Sequence, residues 1–238
     1  MKRALITGGS RGIGAELVRA FTREDYSVAF TYNRSKEEAL SLARETGALA
    51  IYADSACEAD VIRAAAEADS AFGGIDVLVN NAGISSFSLF TDLTLEEWNR
   101  FLAVNLTGAF LYSRQLLRGM IARKQGRIIN VSSVWGLVGS SCEVHYSTAK
   151  AGLIGMTKAL AKEVGPSNIT VNAIAPGVID TAMNASLTRD DVRELEYETP
   201  LFRIGKPSEV ADAALFLASE KAAFITGAVL NVSGGFVI

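Results

Sequence analysis

Cysteine is scarce in this 238-residue chain, occurring only as Cys57 and Cys142, far apart and outside any metal-ligand spacing. That excludes a disulfide framework or a zinc site as the organising principle and suits a reducing interior. Histidine occurs once, as His145, and no metal site is expected. The four prolines fall at 166, 176, 200 and 207, all late and at turn-like places. No Pro/Gly/Ser linker divides the chain, so one domain over 1–238 is expected. No apolar run approaches the roughly 18 residues of a membrane helix. The first apolar stretch, Ala4-Leu5-Ile6, is too short for a signal-peptide core. No membrane partner is therefore expected, and the expected location is cytoplasmic. Long basic runs are also missing. Lys and Arg total 23 against 26 Asp and Glu, for a net charge of −3, so nucleic acid is not an expected partner.

What is present is apolar and periodic. Hydrophobic residues make up 49% of the chain and charged residues 21%. The mean hydropathy is +0.24. Such a chain can build a full core. β-rich runs occur at Ala4–Thr7, Ser27–Tyr32, Ala48–Tyr52, Asp76–Val79, Arg127–Val131, Thr170–Ile174 and Val229–Val232. Amphipathic helical stretches lie between them, two clear ones being Glu16–Phe21 and Val61–Phe72. The strands read as continuous apolar runs, which suits a parallel sheet buried on both faces. The expected fold is therefore α/β: a three-layer, doubly wound Rossmann fold on a parallel seven-stranded sheet. Gly177–Arg203 forms a long excursion after the sixth strand and is expected to be a lid.

The first strand runs into Thr7-Gly8-Gly9-Ser10-Arg11-Gly12-Ile13-Gly14 and then a helix. Gly8, Gly12 and Gly14 allow a tight turn, close approach of backbone to a pyrophosphate, and close helix–strand packing. The helix N-terminus offers free N–H groups to phosphate. Three glycines alone are a weak signal; their place between a strand and a helix is what points to a dinucleotide.

The spacing Gly-x-x-x-Gly-x-Gly resembles that of the short-chain dehydrogenase/reductase family. Further matches run in order along the chain. They are Asn80-Asn81-Ala82-Gly83, Asn105 in a long helix after Trp98, Ser133 in Asn130-Val131-Ser132-Ser133, Tyr146 and Lys150 in Tyr-x-x-x-Lys, and Pro176-Gly177-Val178-Ile179-Asp180-Thr181. The resemblance covers residues 3–236. It implies cofactor contacts at Gly8, Ser10, Arg11, Gly12, Ile13 and Gly14 in the first loop. Asn33, Arg34 and Ser35 would follow strand two, and Asp54 and Ser55 strand three, with Asp54 at the adenine. Asn81, Ala82, Gly83, Tyr146, Lys150, Pro176, Gly177, Ile179 and Thr181 would complete the set.

The expected cofactor is NADPH. NAD sites usually place an acid at the end of strand two, where it would repel a 2′-phosphate. Here that strand ends Thr31-Tyr32-Asn33-Arg34-Ser35, with no acid. Arg11 and Arg34 carry guanidinium donors suited to phosphate. Each taken alone reads equally well as a surface charge.

Reducing a ketone takes a hydride and a proton. Tyr146 would be the general acid. Lys150, one helical turn on, would favour its phenolate. A free tyrosine titrates near 10, and lowering it by about three pH units takes roughly 4 kcal/mol. Ser133 would orient the substrate oxygen. By resemblance, Asn105 holds a water in the proton relay and Lys150 binds the nicotinamide ribose. A Tyr and a Lys four residues apart would by themselves be an ordinary helix pair. Their company here gives them a catalytic reading.

The substrate is open between two expectations. Asn-Val-Ser-Ser, Tyr-Ser-Thr-Ala-Lys-Ala-Gly-Leu-Ile-Gly and Val-Asn-Ala-Ile-Ala-Pro-Gly resemble the 3-oxoacyl-(acyl-carrier-protein) reductases of fatty acid synthesis. Those enzymes dock an acidic carrier partly with basic residues. Arg123, Lys124 and Arg127 stand at one such place, but Ser167-Asn168 stands at the other. Trp135 and Cys142-Glu143-Val144-His145-Tyr146 resemble the related elongation factor P 5-aminopentanone reductases, which act on an amine-bearing protein modification. Glu143 either lies at the substrate mouth, where it would favour a cation, or points to solvent. His145 is expected to have no catalytic part, and Cys142 to be a small loop residue. A non-catalytic NADP-binding regulator on the same fold is a third reading, which the full Ser–Tyr–Lys–Asn set opposes. The family commonly forms tetramers, so a homotetramer is expected, with the apolar ending Val229–Ile238 suited to an interface.

Overall fold

Successive residues of a strand face opposite sides of its sheet, and these strands are apolar on both. A computed structural model describes residues 2–184 and 188–237. Its elements are β1 (Arg3–Ile6), α1 (Gly12–Arg23), β2 (Ser27–Tyr32), α2 (Lys36–Thr46), β3 (Leu49–Tyr52) and α3 (Glu58–Phe72). β4 (Val77–Asn80) and α4 (Leu95–Leu102) follow, then a π-helical turn (Ala103–Thr107) that runs into α5 (Gly108–Arg123). Next come β5 (Gly126–Val131), the short α6 (Trp135–Val138), α7 (Val144–Val164) and β6 (Ile169–Pro176). α8 (Arg189–Glu198), α9 (Pro207–Ala218) and β7 (Val229–Val232) complete the chain.

The seven strands form one sheet in the order β3-β2-β1-β4-β5-β6-β7. Every pairing is parallel. Alternation splits the core in two. Ala4, Ile6, Val77, Val79 and Ile129 pack under Leu17 and Phe21 of α1 and Val210 and Leu217 of α9. Leu5, Leu78 and Ile128 pack on the other side, under Val61 of α3 and Leu116 and Met120 of α5. That gives three layers, helix on sheet on helix.

Helix ends follow local chemistry. Thr94 accepts from the Glu97 amide at 3.1 Å, while Glu97 accepts from the Thr94 amide at 3.1 Å, closing the start of α4. Gly47 and Gly73, in left-handed conformation, stop α2 and α3. The strand order reverses between β1 and β4, and this opens a crevice at the strands' carboxyl ends.

The excursion expected as a lid holds a 3-10 turn at Ala182–Asn184 and the helix α8. Its residues 185–187 lie outside the described residues, as do Met1 and Ile238.

Candidate active site

A cleft of about 660 Å³ runs along the carboxyl ends of the strands, a size that suits a cofactor with its substrate. At one end, β1 turns into α1. Gly8 takes φ of +65°, and a Cβ on Gly14 would collide with the carbonyl oxygen of Gly8. Only glycine permits this approach. The turn is braced from β4. The Asn81 amide donates to the carbonyls of Thr7 and Gly8, both at 3.0 Å. The Thr7 hydroxyl accepts from the amides of Asn81 and Ala82, both at 3.0 Å. No side chain caps α1, so its first amides face the cleft as free donors.

Arg11, Asn33, Arg34 and Ser35 line the same end. Arg11 and Arg34 are exposed, and neither has an ion-pair partner among the described residues. No carboxylate closes β2. These groups fit a phosphate-bearing dinucleotide. Among the described residues, no three of His, Cys, Asp or Glu converge as a metal site.

At the other end stand Ser133, Glu143, Tyr146 and Lys150, all lining the cleft. β5 ends just before Ser133, whose hydroxyl accepts from the Trp135 amide at 3.2 Å. α7 carries Tyr146 and Lys150 one turn apart. Burial pushes the Tyr146 phenol up to about 12, which the Ser133 hydroxyl partly opposes and the nearby Glu143 reinforces. Burial brings the Lys150 ammonium down to about 8. It donates to the Val131 carbonyl at 2.8 Å and lies 5.6 Å from the centre of the Tyr146 ring. The ammonium thus sits over the face of the Tyr146 ring, one helical turn along α7.

Asn105 does not line the cleft. It is buried in the π-helical turn behind it and donates to the carbonyls of Ile84 and Phe101, both at 3.1 Å. Its Oδ1 accepts from the Ile84 amide at 3.2 Å. The wider turn, in place of the expected continuous helix, sets the amide under Gly83 and Ile84. Such turns recur at functional sites. Asp54 is not part of the lining either. Its carboxylate accepts from the Ala56 amide at 2.9 Å and closes a turn. Every other residue expected at the cofactor or substrate lines the cleft.

Glu143 does not point to solvent: it is only 5% exposed. Burial pushes its carboxyl up, with the Ser140 hydroxyl offsetting part of the shift. His145 is fully buried, and its Nε2 sits 3.1 Å from the Ser86 hydroxyl. The basic residues Arg123, Lys124 and Arg127 form a separate cluster around the start of β5. It lies at the amino ends of the strands, opposite the cleft. Arg123 donates to the Ile75 carbonyl at 2.6 Å, and the largely buried Arg127 pairs with Glu220 at 3.5 Å. Within one chain, these groups are structural ties.

Sequence reasoning missed the wall formed by Ile84, Ser85, Phe87 and Val104, and Leu195 opposite. Their apolar or small side chains carry no chemical signature. Only the fold brings them to the cleft, from the path of residues 81–90, the π-helical turn and α8.

A Rossmann-type oxidoreductase is the class that this sheet and cleft define. Comparison with known proteins narrows it. The family model described as Enoyl-(Acyl carrier protein) reductase matches residues 8–237. The 3-oxoacyl-(acyl-carrier-protein) reductase FabG of Aquifex aeolicus (strain VF5) is 44% identical over 98% of this chain and 96% of that protein. The acetoacetyl-CoA reductase of Rhizobium meliloti (strain 1021) is 41% identical over 98% and 97%. The structure of a doubly substituted Serratia marcescens short-chain dehydrogenase/reductase superposes with a TM-score of 0.92 at 38% identity, covering 99% of this chain and 97% of that one. The chain belongs to the short-chain dehydrogenase/reductase family and is an oxidoreductase acting between carbonyl and hydroxyl groups. No helix among the described residues is long and apolar enough to cross a membrane.

Proposed function

We propose that the protein is an NADPH-dependent reductase of 3-oxoacyl thioesters, of the 3-oxoacyl-(acyl-carrier-protein) reductase kind. The observation that carries the reading is the convergence of Ser133, Tyr146 and Lys150 at one end of a cleft whose other end is a glycine turn suited to phosphate. The relatives named for 3-oxoacyl and acetoacetyl thioesters support the substrate class. Arg11 and Arg34, unpaired and facing the cleft, support NADPH over NADH.

A bound NADPH would supply the hydride. Ser133 orients the carbonyl oxygen, and Tyr146 gives it a proton. Lys150 would hold the nicotinamide ribose and favour the phenolate that remains. Asn105 supports the wall at Ile84 from behind the cleft. Gly177–Arg203 acts as a lid. Its two ends are tied, with Asp180 donating to Gly205 at 2.9 Å and Gly205 to Val178 at 2.8 Å, and its Leu195 faces the cleft. The working form is a cytoplasmic homotetramer, and light scattering that found only a 25.3 kDa species would contradict the tetramer.

Glu143 favours a second reading. A buried carboxylate beside Tyr146 suits an amino ketone, as in the elongation factor P 5-aminopentanone reductases, better than an anionic carrier. NADPH oxidation measured with acetoacetyl-CoA and with an amino ketone decides between them. Binding of NADPH with reduction of neither would leave the regulator.

A further inference from the structure

We infer that His145 is a positioning residue which, through Ser86, holds residues 84–89 in place as a wall of the substrate end of the cleft. The inference rests on the proposed reading that this end takes the carbonyl substrate.

Residues 81–89 carry no regular secondary structure. Yet Ile84, Ser85 and Phe87 line the cleft, and Phe87 is 72% exposed at its edge. A loop of this kind keeps its shape only through its tethers. Ile84 is tied to Asn105. Beyond it, Ser88 donates its amide to the Cys142 carbonyl at 2.8 Å, and the Ser86 hydroxyl meets His145 Nε2 at 3.1 Å. Both tethers reach the segment that leads into Tyr146, so they set the wall's distance from that phenol.

His145 is suited to this work. Its ring is fully buried and lies edge-on to Phe101, with centroids 4.0 Å apart, so it cannot swing away. Its Nδ1 has no partner among the described residues. Burial pushes its pKa down, which keeps the ring neutral. A buried imidazole with one orphaned nitrogen costs stability that an apolar ring would not. Its one hydrogen bond, to Ser86, is what the imidazole adds over such a ring.

The test uses the full chain. In Ser86→Ala, hydrogen exchange of residues 84–89 should quicken. KM for the preferred ketone should rise about three- to tenfold, the worth of one hydrogen bond. kcat should stay within about twofold, and NADPH affinity should not move. Ser86→Thr keeps a hydroxyl and should behave as wild type. His145→Phe keeps the ring contact and should match Ser86→Ala, with the double variant no worse than either. Wild-type exchange and KM in Ser86→Ala would overturn the inference. A wild-type protein that reduces no ketone would instead sink the proposed function, while the exchange measurement would still decide the tether.

Discussion

The Lys150 ammonium donates to the Val131 carbonyl at 2.8 Å, with no carboxylate paired to it among the described residues. A cation this buried and lightly compensated is poised to lose its proton, and it sits one helical turn from a buried phenol. The same bond ties α7 to the last residue of β5, two residues before Ser133.

This burial has a signature in stability. Folding lowers Lys150 from 10.5 to about 8. Between those values the unfolded chain holds the proton and the folded one does not, so stability rises with pH across this window and the penalty is full below it. Lys150→Met removes the penalty. The cofactor-free variant should be about 2 kcal/mol more stable at neutral pH, after loss of the hydrogen bond to Val131. The gain should fade as the pH approaches 10.5. Urea unfolding at several pH values checks this, and a variant less stable than wild type at neutral pH would refute it.

Tyr146→Phe should cut turnover by about a hundredfold or more, the usual worth of a positioned general acid. NADPH affinity should be nearly unchanged. Steady-state rates and fluorescence titration read the two separately, and near-wild-type turnover would remove Tyr146 from the proton transfer.

Arg11→Ala and Arg34→Ala should each weaken NADPH about tenfold and leave NADH within about twofold, because only the first carries the extra phosphate. Raising the salt concentration should shrink the difference between wild type and variant. Equal losses with both cofactors would assign the arginines to another role.

Glu143→Gln should stabilise the protein at neutral pH. Its folded pKa is raised, so its ionised form opposes folding; that cost appears as pH climbs past 4.5 and levels off above the raised value. If Glu143 recognises an amine, the variant should lose amino ketone reduction and keep acetoacetyl-CoA reduction. Unchanged preference would make it a bystander.

Much of this protein was written in local pattern. The apolar runs gave seven strands, and their double-sided apolarity gave a buried parallel sheet, because strand alternation is a property of the backbone. The first turn was legible for the same reason: Gly8 takes a positive φ, and a side chain on Gly14 would collide with the turn itself. Tyr146 and Lys150 share a face by helical spacing alone. Tertiary structure decided what depends on distant segments meeting. It placed Asn105 behind the cleft by widening one helical turn, set Asp54 into a turn, and buried Glu143. It turned Arg123 and Arg127 away to the far end of the sheet. It also gave His145 its partner, because Ser86 lies 59 residues away along the chain. Burial and charge environment are sums over such neighbours, and no single stretch of sequence carries them.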